Sequence, residues 1–284
     1  TLLDQQSGRV LVAAAGNAGH IPHHVGYNIP SDSAYTYFKY NTNSNEVYFD
    51  FWADTSDFNN AYFKIGINDN LGGNARSTEY FNVLADFNPP QAPAFQVIAR
   101  NIPDQVYIAA SMEGERYHVE VLAYPNNTSD YTRLQTKGTG KLDLWSSADL
   151  IGSADIASYY GSGSYISSSE YRYPDTLKTM VSSWQNSDKV ITVANYSSRA
   201  GYLDYNSNYV DVTAAPYNEV VRRKFSESSL GPTRDNRMKP DLAATGSTTL
   251  STGDANNINL LISNNQAYKV SITGKHIRNG GTSM

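Results

Sequence analysis

Two short motifs near opposite ends of this 284-residue chain contain side chains suited to acyl-group chemistry. Ser283 stands in NGGTSM, Asn279 to Met284, where glycines let another backbone approach its hydroxyl closely. Asn17 stands in VLVAAAGNAG, Val10 to Gly19, where an apolar, small-residue run ends in a glycine-flanked amide. A hydroxyl becomes a nucleophile when a base takes its proton, and an amide N–H stabilises the oxyanion formed by its attack. Each residue also has a plainer reading, a helix N-cap for the serine and a satisfied turn for the asparagine. A third segment, RMKPDLAATG from Arg237 to Gly246, falls between them. There Pro240 restrains Lys239, and Asp241 can accept local backbone hydrogen bonds.

The elements that must hold these motifs are of two kinds. Val10 to Ala13 is an uninterrupted apolar run that reads as the end of a buried parallel strand, released into a turn by Gly16 and Gly19. Open α/β sheets place their sites at such strand ends. Further strands are expected at Lys189 to Ala194, Tyr209 to Ala214 and Ala267 to Thr273. From about His20 to about Ser168 the character changes. Extended segments are expected at Tyr35 to Tyr40, Glu46 to Ala53, Ala61 to Ile67, Phe95 to Ala99, Gln105 to Ala110, Arg116 to Val121 and Lys141 to Trp145. Val47, Phe49 and Phe51 share one face while Tyr48, Asp50 and Trp52 share the other, as a two-layer antiparallel sheet requires. A Ser- and Gly-rich stretch, Ser158 to Glu170, then reads as a linker. The expected organisation is an α/β core from residues 1–19 and 169–284, interrupted by a β-rich insertion over residues 20–168.

In their order and wording, AAAGN, RMKPDLAATG and NGGTSM together resemble the subtilisin-like serine peptidases. FSESSLGPTRDNR, Phe225 to Arg237, also resembles that family's FSS-x-GPT-x-DGR wording. Glu227 interrupts its serines, Asn236 replaces the usual glycine, and Ala244-Thr245-Gly246 replaces the usual APG. The resemblance implies an α/β fold, part of a subtilisin-like parallel-sheet core with a large inserted β-sandwich or jelly-roll domain. It implies Ser283 as nucleophile, with Asn17 donating to the oxyanion beside the Ser283 amide. Ala13, Ala14, Ala15 and Gly16 would wall the pocket for the side chain before the scissile bond, and Tyr173-Pro174 would close it. Asp241 is assigned a structural role. The implied activity is that of a serine endopeptidase acting through an acyl-enzyme, within a longer parent. The alternative is a catalytically inactive subtilisin-like scaffold whose β-rich insertion binds protein or glycan through aromatics such as Tyr48 and Trp52.

The family places its catalytic Asp and His before the oxyanion asparagine, in D-T/S-G and H-G-T-H segments that do not occur here. His20, His23, His24, His118 and His276 all lack that context. These residues alone are therefore expected to be inactive, and an upstream catalytic segment is an expected partner alongside a polypeptide substrate. The absence of cysteine excludes disulfide and thiolate chemistry. A formal charge of −5, with only Arg222-Arg223-Lys224 densely basic, argues against nucleic acid as a partner. No run of 18 apolar residues spans a membrane and no leader follows Thr1, so any leader is expected upstream. The expected setting is secreted or cell-envelope, in a bacterium. The implied chemistry requires no cofactor. His20, His23 and His24 have helical metal-ligand spacing, but Pro22 argues for a loop. Asp54, Asp57 and Asn59, or Asp69 and Asn70, offer oxygen ligands for a structural calcium or read as solvated turns.

Overall fold

The structure is a computed structural model that describes residues 8–40, 46–68, 75–87, 94–97, 104–147, 154–156, 169–175, 179–181 and 183–283. The chain divides into two compact units, Pro22–Thr176 and the combination of Thr1–Ile21 with Leu177–Met284. Together they form a mixed α/β structure with several β-sheets.

In the Pro22–Thr176 unit, period-two alternation of apolar and polar residues builds two antiparallel sheets. One has six strands in the order His24–Asn28, Lys141–Ser146, Val47–Asp54, Arg116–Tyr124, Gln105–Glu113 and Ala94–Val97. The other has five, in the order Ala154–Ile156, Ala34–Tyr40, Tyr131–Gly138, Ala61–Asn68 and Ala75–Ser77. Val47, Phe49, Phe51 and Ala53 point into a shared apolar core, while Tyr48, Asp50 and Trp52 point away from it. Phe38 of one sheet stacks on Phe49 of the other, with ring centroids 4.0 Å apart. Phe63 lies 4.8 Å from Phe51 and 4.9 Å from Phe58. Each fully buried phenylalanine contributes about 1.5–3 kcal/mol through removal of its surface from water. The expected strands up to Trp145 appear with shifted ends, although part of Phe95 to Ala99 lies outside the described residues. His24–Asn28 and Tyr131–Gly138 are additional strands. Most of the Ser158 to Glu170 stretch also lies outside the described residues.

The other unit is built on a three-stranded parallel sheet in the order Leu11–Ala14, Val190–Ser197, Leu242–Ser247. Two antiparallel pairs, Gly201–Leu203 with Tyr209–Asp211 and Thr249–Thr252 with His276–Asn279, accompany it. Its α-helix, Ala255–Ser263, begins where the Asp254 side chain accepts from the Asn257 amide at 3.1 Å. Two local expectations fail. Ala267 to Thr273 is not a strand: Ala267–Lys269 forms a 3-10 turn, and Val270 makes only an isolated bridge to Ile277. The Val10 to Ala13 run forms its strand but is buried only at Ala13, since Val10 is 67% and Val12 58% exposed. Among the described residues Leu11–Ala14 is an edge strand, paired with Val190–Ser197 alone.

Candidate active site

The parallel register Leu11↔Val190 through Ala14↔Val193 carries the small-residue run along the central strand, and the Ala15 N–H extends it by donating to Val193 O at 2.9 Å. Ala13 and Ala15 are buried, whereas Ala14 and Gly16 are half-buried. Gly16, with φ +104°, turns the chain so that Asn17 emerges exposed at the carboxyl end of the strand. Gly281, with φ +137°, makes the matching turn near the other end, and its N–H donates to Gly246 O at 2.9 Å. The Thr282 N–H then donates to Asn17 Oδ1 at 3.3 Å, across 265 residues of sequence. With Oδ1 engaged as an acceptor, Asn17 retains both side-chain N–H groups for donation.

The FSESSLG segment braces this turn. Ser229 N–H donates to Gly16 O at 2.9 Å, and Ser229 Oγ accepts from the Ala18 N–H at 3.0 Å. Ser228 Oγ accepts from the Asn195 N–H at 2.9 Å, and Gly19 N–H donates to Glu227 O at 2.8 Å. A Cβ at Gly19 would lie 2.0 Å from Ser228 O, so only glycine permits that approach. Asn236 takes φ +63°, the left-handed geometry that asparagine tolerates in place of glycine.

RMKPDLAATG clamps the start of the central strand. The buried Lys239 ammonium donates to Val190 O and to Asp241 Oδ2, both at 2.6 Å. Asp241 Oδ2 also accepts from the Thr192 N–H at 2.7 Å. Hydrogen bonds from Lys239 and from this amide hold the Asp241 carboxyl below its ordinary range. Beside Gly280 and Gly281 lies a cavity of about 320 Å³, lined also by Phe225, Glu219, Ser247 and Arg278. Sequence spacing does not announce its main polar feature. The buried Glu219 carboxylate accepts hydroxyl hydrogens from Ser197 at 2.7 Å, Thr248 at 2.9 Å, and Ser247.

The Asn17 turn and the Thr282-Ser283 end are thus brought together within one unit. Ser283 is exposed, and no histidine or carboxylate partners it among the described residues. His276 instead meets Thr273 Oγ1 at 3.0 Å through Nδ1. Tyr173 and Pro174 belong to the other unit, where Tyr173 is largely exposed and packs edge-on against Tyr171 with centroids 4.9 Å apart. In that unit His24 is buried, with Nδ1 2.6 Å from Asp175 Oδ1 and Nε2 3.4 Å from Asp143 Oδ1. Burial by itself lowers the His24 pKa, but the two carboxylates outweigh it and the net direction is upward. Among the described residues no group of three or more His, Asp or Glu side chains is set to hold a metal. Asp69 and Asn70 lie outside the described residues.

These features define a scaffold of mixed α/β type with several β-sheets. No protein-family model matches the chain, and no curated protein sequence matches it. Among solved structures it is similar to the CspB protease of Clostridium perfringens, with a TM-score of 0.58 and 17% identity over the whole of this chain and 47% of that one. At that identity the likeness is one of fold, and the chain spans under half the length of that protease. No helix among the described residues is long and apolar enough to cross a membrane.

Proposed function

We propose that these residues form a peptidase-like recognition scaffold in which the β-rich unit, a β-sandwich, binds a polypeptide or glycan. The observation that carries this reading is the outward face of the six-stranded sheet, where Tyr48 and Trp52 stand half-exposed beside Asp50 and Glu120. Rigid aromatics with adjoining hydrogen-bonding groups are a common recognition chemistry. Ser283, by contrast, has no base beside it among the described residues. The setting proposed for this scaffold is secreted or cell-envelope, in a bacterium. The test pairs active-serine labelling of the 284-residue chain with ligand binding to it. Binding without labelling is expected, and labelling at Ser283 in the absence of any added segment overturns the reading.

A second reading is favoured by the Thr282 N–H to Asn17 Oδ1 contact, which joins the two motif-bearing turns. On this reading a longer parent is a serine endopeptidase: an upstream segment supplies the base, Ser283 attacks the peptide carbonyl, and Asn17 donates to the oxyanion. Ala13 to Gly16 then line the pocket for the residue before the scissile bond. No cofactor takes part in this chemistry. Extending the chain upstream should give peptide hydrolysis that Ser283→Ala abolishes; hydrolysis surviving that substitution removes this reading.

A further inference from the structure

We propose that the outward face of the six-stranded sheet docks a lysine- or arginine-bearing polypeptide segment, a partner choice that rests on the recognition reading above. Register places Asp50 opposite Glu120 and Trp52 opposite His118 on adjacent strands, so aromatic and acidic groups alternate across the face. Trp52 Nε1 donates to Asp50 Oδ2 at 2.8 Å, and His118 Nε2 meets the same oxygen at 2.9 Å. The Tyr48 hydroxyl donates to Glu120 Oε1 at 2.7 Å, and His118 Nδ1 meets Glu113 Oε1 at 3.1 Å. These bonds fix the carboxylates in place while leaving Asp50 Oδ1 and Glu120 Oε2 to accept from a cation. Even with His118 protonated, Asp50, Glu113 and Glu120 leave this patch negative. Its basic neighbours Arg116 and Lys141 lie toward one end of the face, and Arg116 is already 3.4 Å from Asp54.

Charge and ring geometry together select the occupant. Trp52 stacks on His118 with centroids 3.9 Å apart and planes 15° apart, which fixes its ring, and the carboxylates around that ring favour a cationic side chain over a neutral glycan. The rings here present hydroxyl- and N–H-bearing edges bonded to carboxylates. A cationic side chain gains from both features, pairing with the carboxylate and lying against the uncovered aromatic surface. Complementary charge also steers encounter, so the interaction is salt-sensitive.

The test uses the intact chain carrying Trp184→Phe, which leaves Trp52 and Trp145 of this unit as the only tryptophans. Their fluorescence is followed while oligolysine, oligoglutamate or a neutral oligosaccharide is titrated. Glu113→Gln with Glu120→Gln keeps an acceptor for His118 and for the Tyr48 hydroxyl while removing two charges; Glu79→Gln, on an exposed residue elsewhere, gives the effect of each charge removed outside the patch. Oligolysine should bind saturably, and the paired substitution should weaken it about fivefold to tenfold, on the scale of two exposed ion pairs. Glu79→Gln should leave the affinity unchanged. An equal loss per charge removed with Glu79→Gln, or no loss with the paired substitution, overturns the docking surface. Oligosaccharide binding without oligolysine binding overturns the partner chemistry while the recognition reading stands. If none of the three ligands and no other polypeptide or glycan binds the chain, the recognition reading fails too.

Discussion

Replacing Asp241 with alanine tests how the KPD segment holds the parallel sheet beneath the candidate site. The Lys239 side chain is 3% exposed and Asp241's is 38% exposed, so the charge left behind is the buried one. Breaking a fully buried ion pair from one side costs about 3–5 kcal/mol, because an uncompensated charge remains. Here Val190 O still accepts from the ammonium, and water can enter where Asp241 was exposed, which favours the low end of that range. Loss of the acceptor for the Thr192 N–H adds about 1 kcal/mol. The expected total is about 3–4 kcal/mol. Asp241→Asn, which keeps a carbonyl oxygen for Thr192, should cost less. Adding Lys239→Met to Asp241→Asn should recover part of the loss by removing the buried ammonium. Two units make a single global unfolding transition a poor measure. The suitable readout is amide hydrogen exchange along Val190–Ser197 across a urea series. A cost below about 1 kcal/mol for Asp241→Ala, or strict additivity of the Lys239 and Asp241 changes, would refute the clamp. The pH dependence has a definite sign. With its folded pKa depressed, Asp241 contributes stability above the ordinary carboxyl value, and that contribution disappears as pH falls through the folded value.

Three further outcomes follow from the same physics. His24, with a raised pKa between Asp143 and Asp175, stabilises its unit fully below the ordinary histidine value and loses that contribution as pH rises through the folded value; His24→Gln should flatten this slope in pH-dependent urea melts. Phe63→Ala, which empties a fully buried site among Phe51, Phe58 and Phe81, should cost about 3–5 kcal/mol in denaturant melts followed by Trp52 and Trp145 fluorescence, and a cost under about 1 kcal/mol would show that the core collapses freely. Glu219→Ala should strand the Ser197, Ser247 and Thr248 hydroxyls and speed amide exchange at Ser247 and Thr248, whereas unchanged exchange would mean that the carboxylate is not what orders that wall.

The strands of the Pro22–Thr176 unit were readable because alternation is local: Val47-Tyr48-Phe49-Asp50-Phe51-Trp52 states its two faces within six residues. His24–Asn28 escaped that reading because it has one short apolar pair and a glycine, and its pairing with Lys141–Ser146 is long-range. Ala267 to Thr273 misled in the opposite direction, since an apolar and β-branched composition does not by itself create a strand partner. The same limit applies to the candidate site. Asn17 and the NGGTSM end were identifiable from wording, but the three hydroxyls on Glu219 come from segments with no common pattern. Such a cluster is visible only once the sheet has brought those segments together.

The meeting of Asn17 and Thr282 shows which interactions do the assembling. Closing a loop of that length costs about 5 kcal/mol on a flexible-chain estimate, whereas one hydrogen bond returns about 1 kcal/mol. The Thr282 N–H to Asn17 Oδ1 bond therefore cannot be what brings the chain ends together. The parallel pairings of Leu11–Ala14 and Leu242–Ser247 with the central strand do that, and the Gly281 N–H to Gly246 O bond extends the arrangement to the last turn. Asn17→Ala should accordingly leave these pairings intact, costing about 1 kcal/mol or less, with amide exchange slowed as before along Val190–Ser197. In an upstream-extended chain that hydrolyses peptide, the same substitution should lower turnover far more than substrate affinity, since the oxyanion exists only during reaction. If Asn17→Ala instead unfolds the sheet, the asparagine is a structural strut and its assignment as an oxyanion donor loses its support.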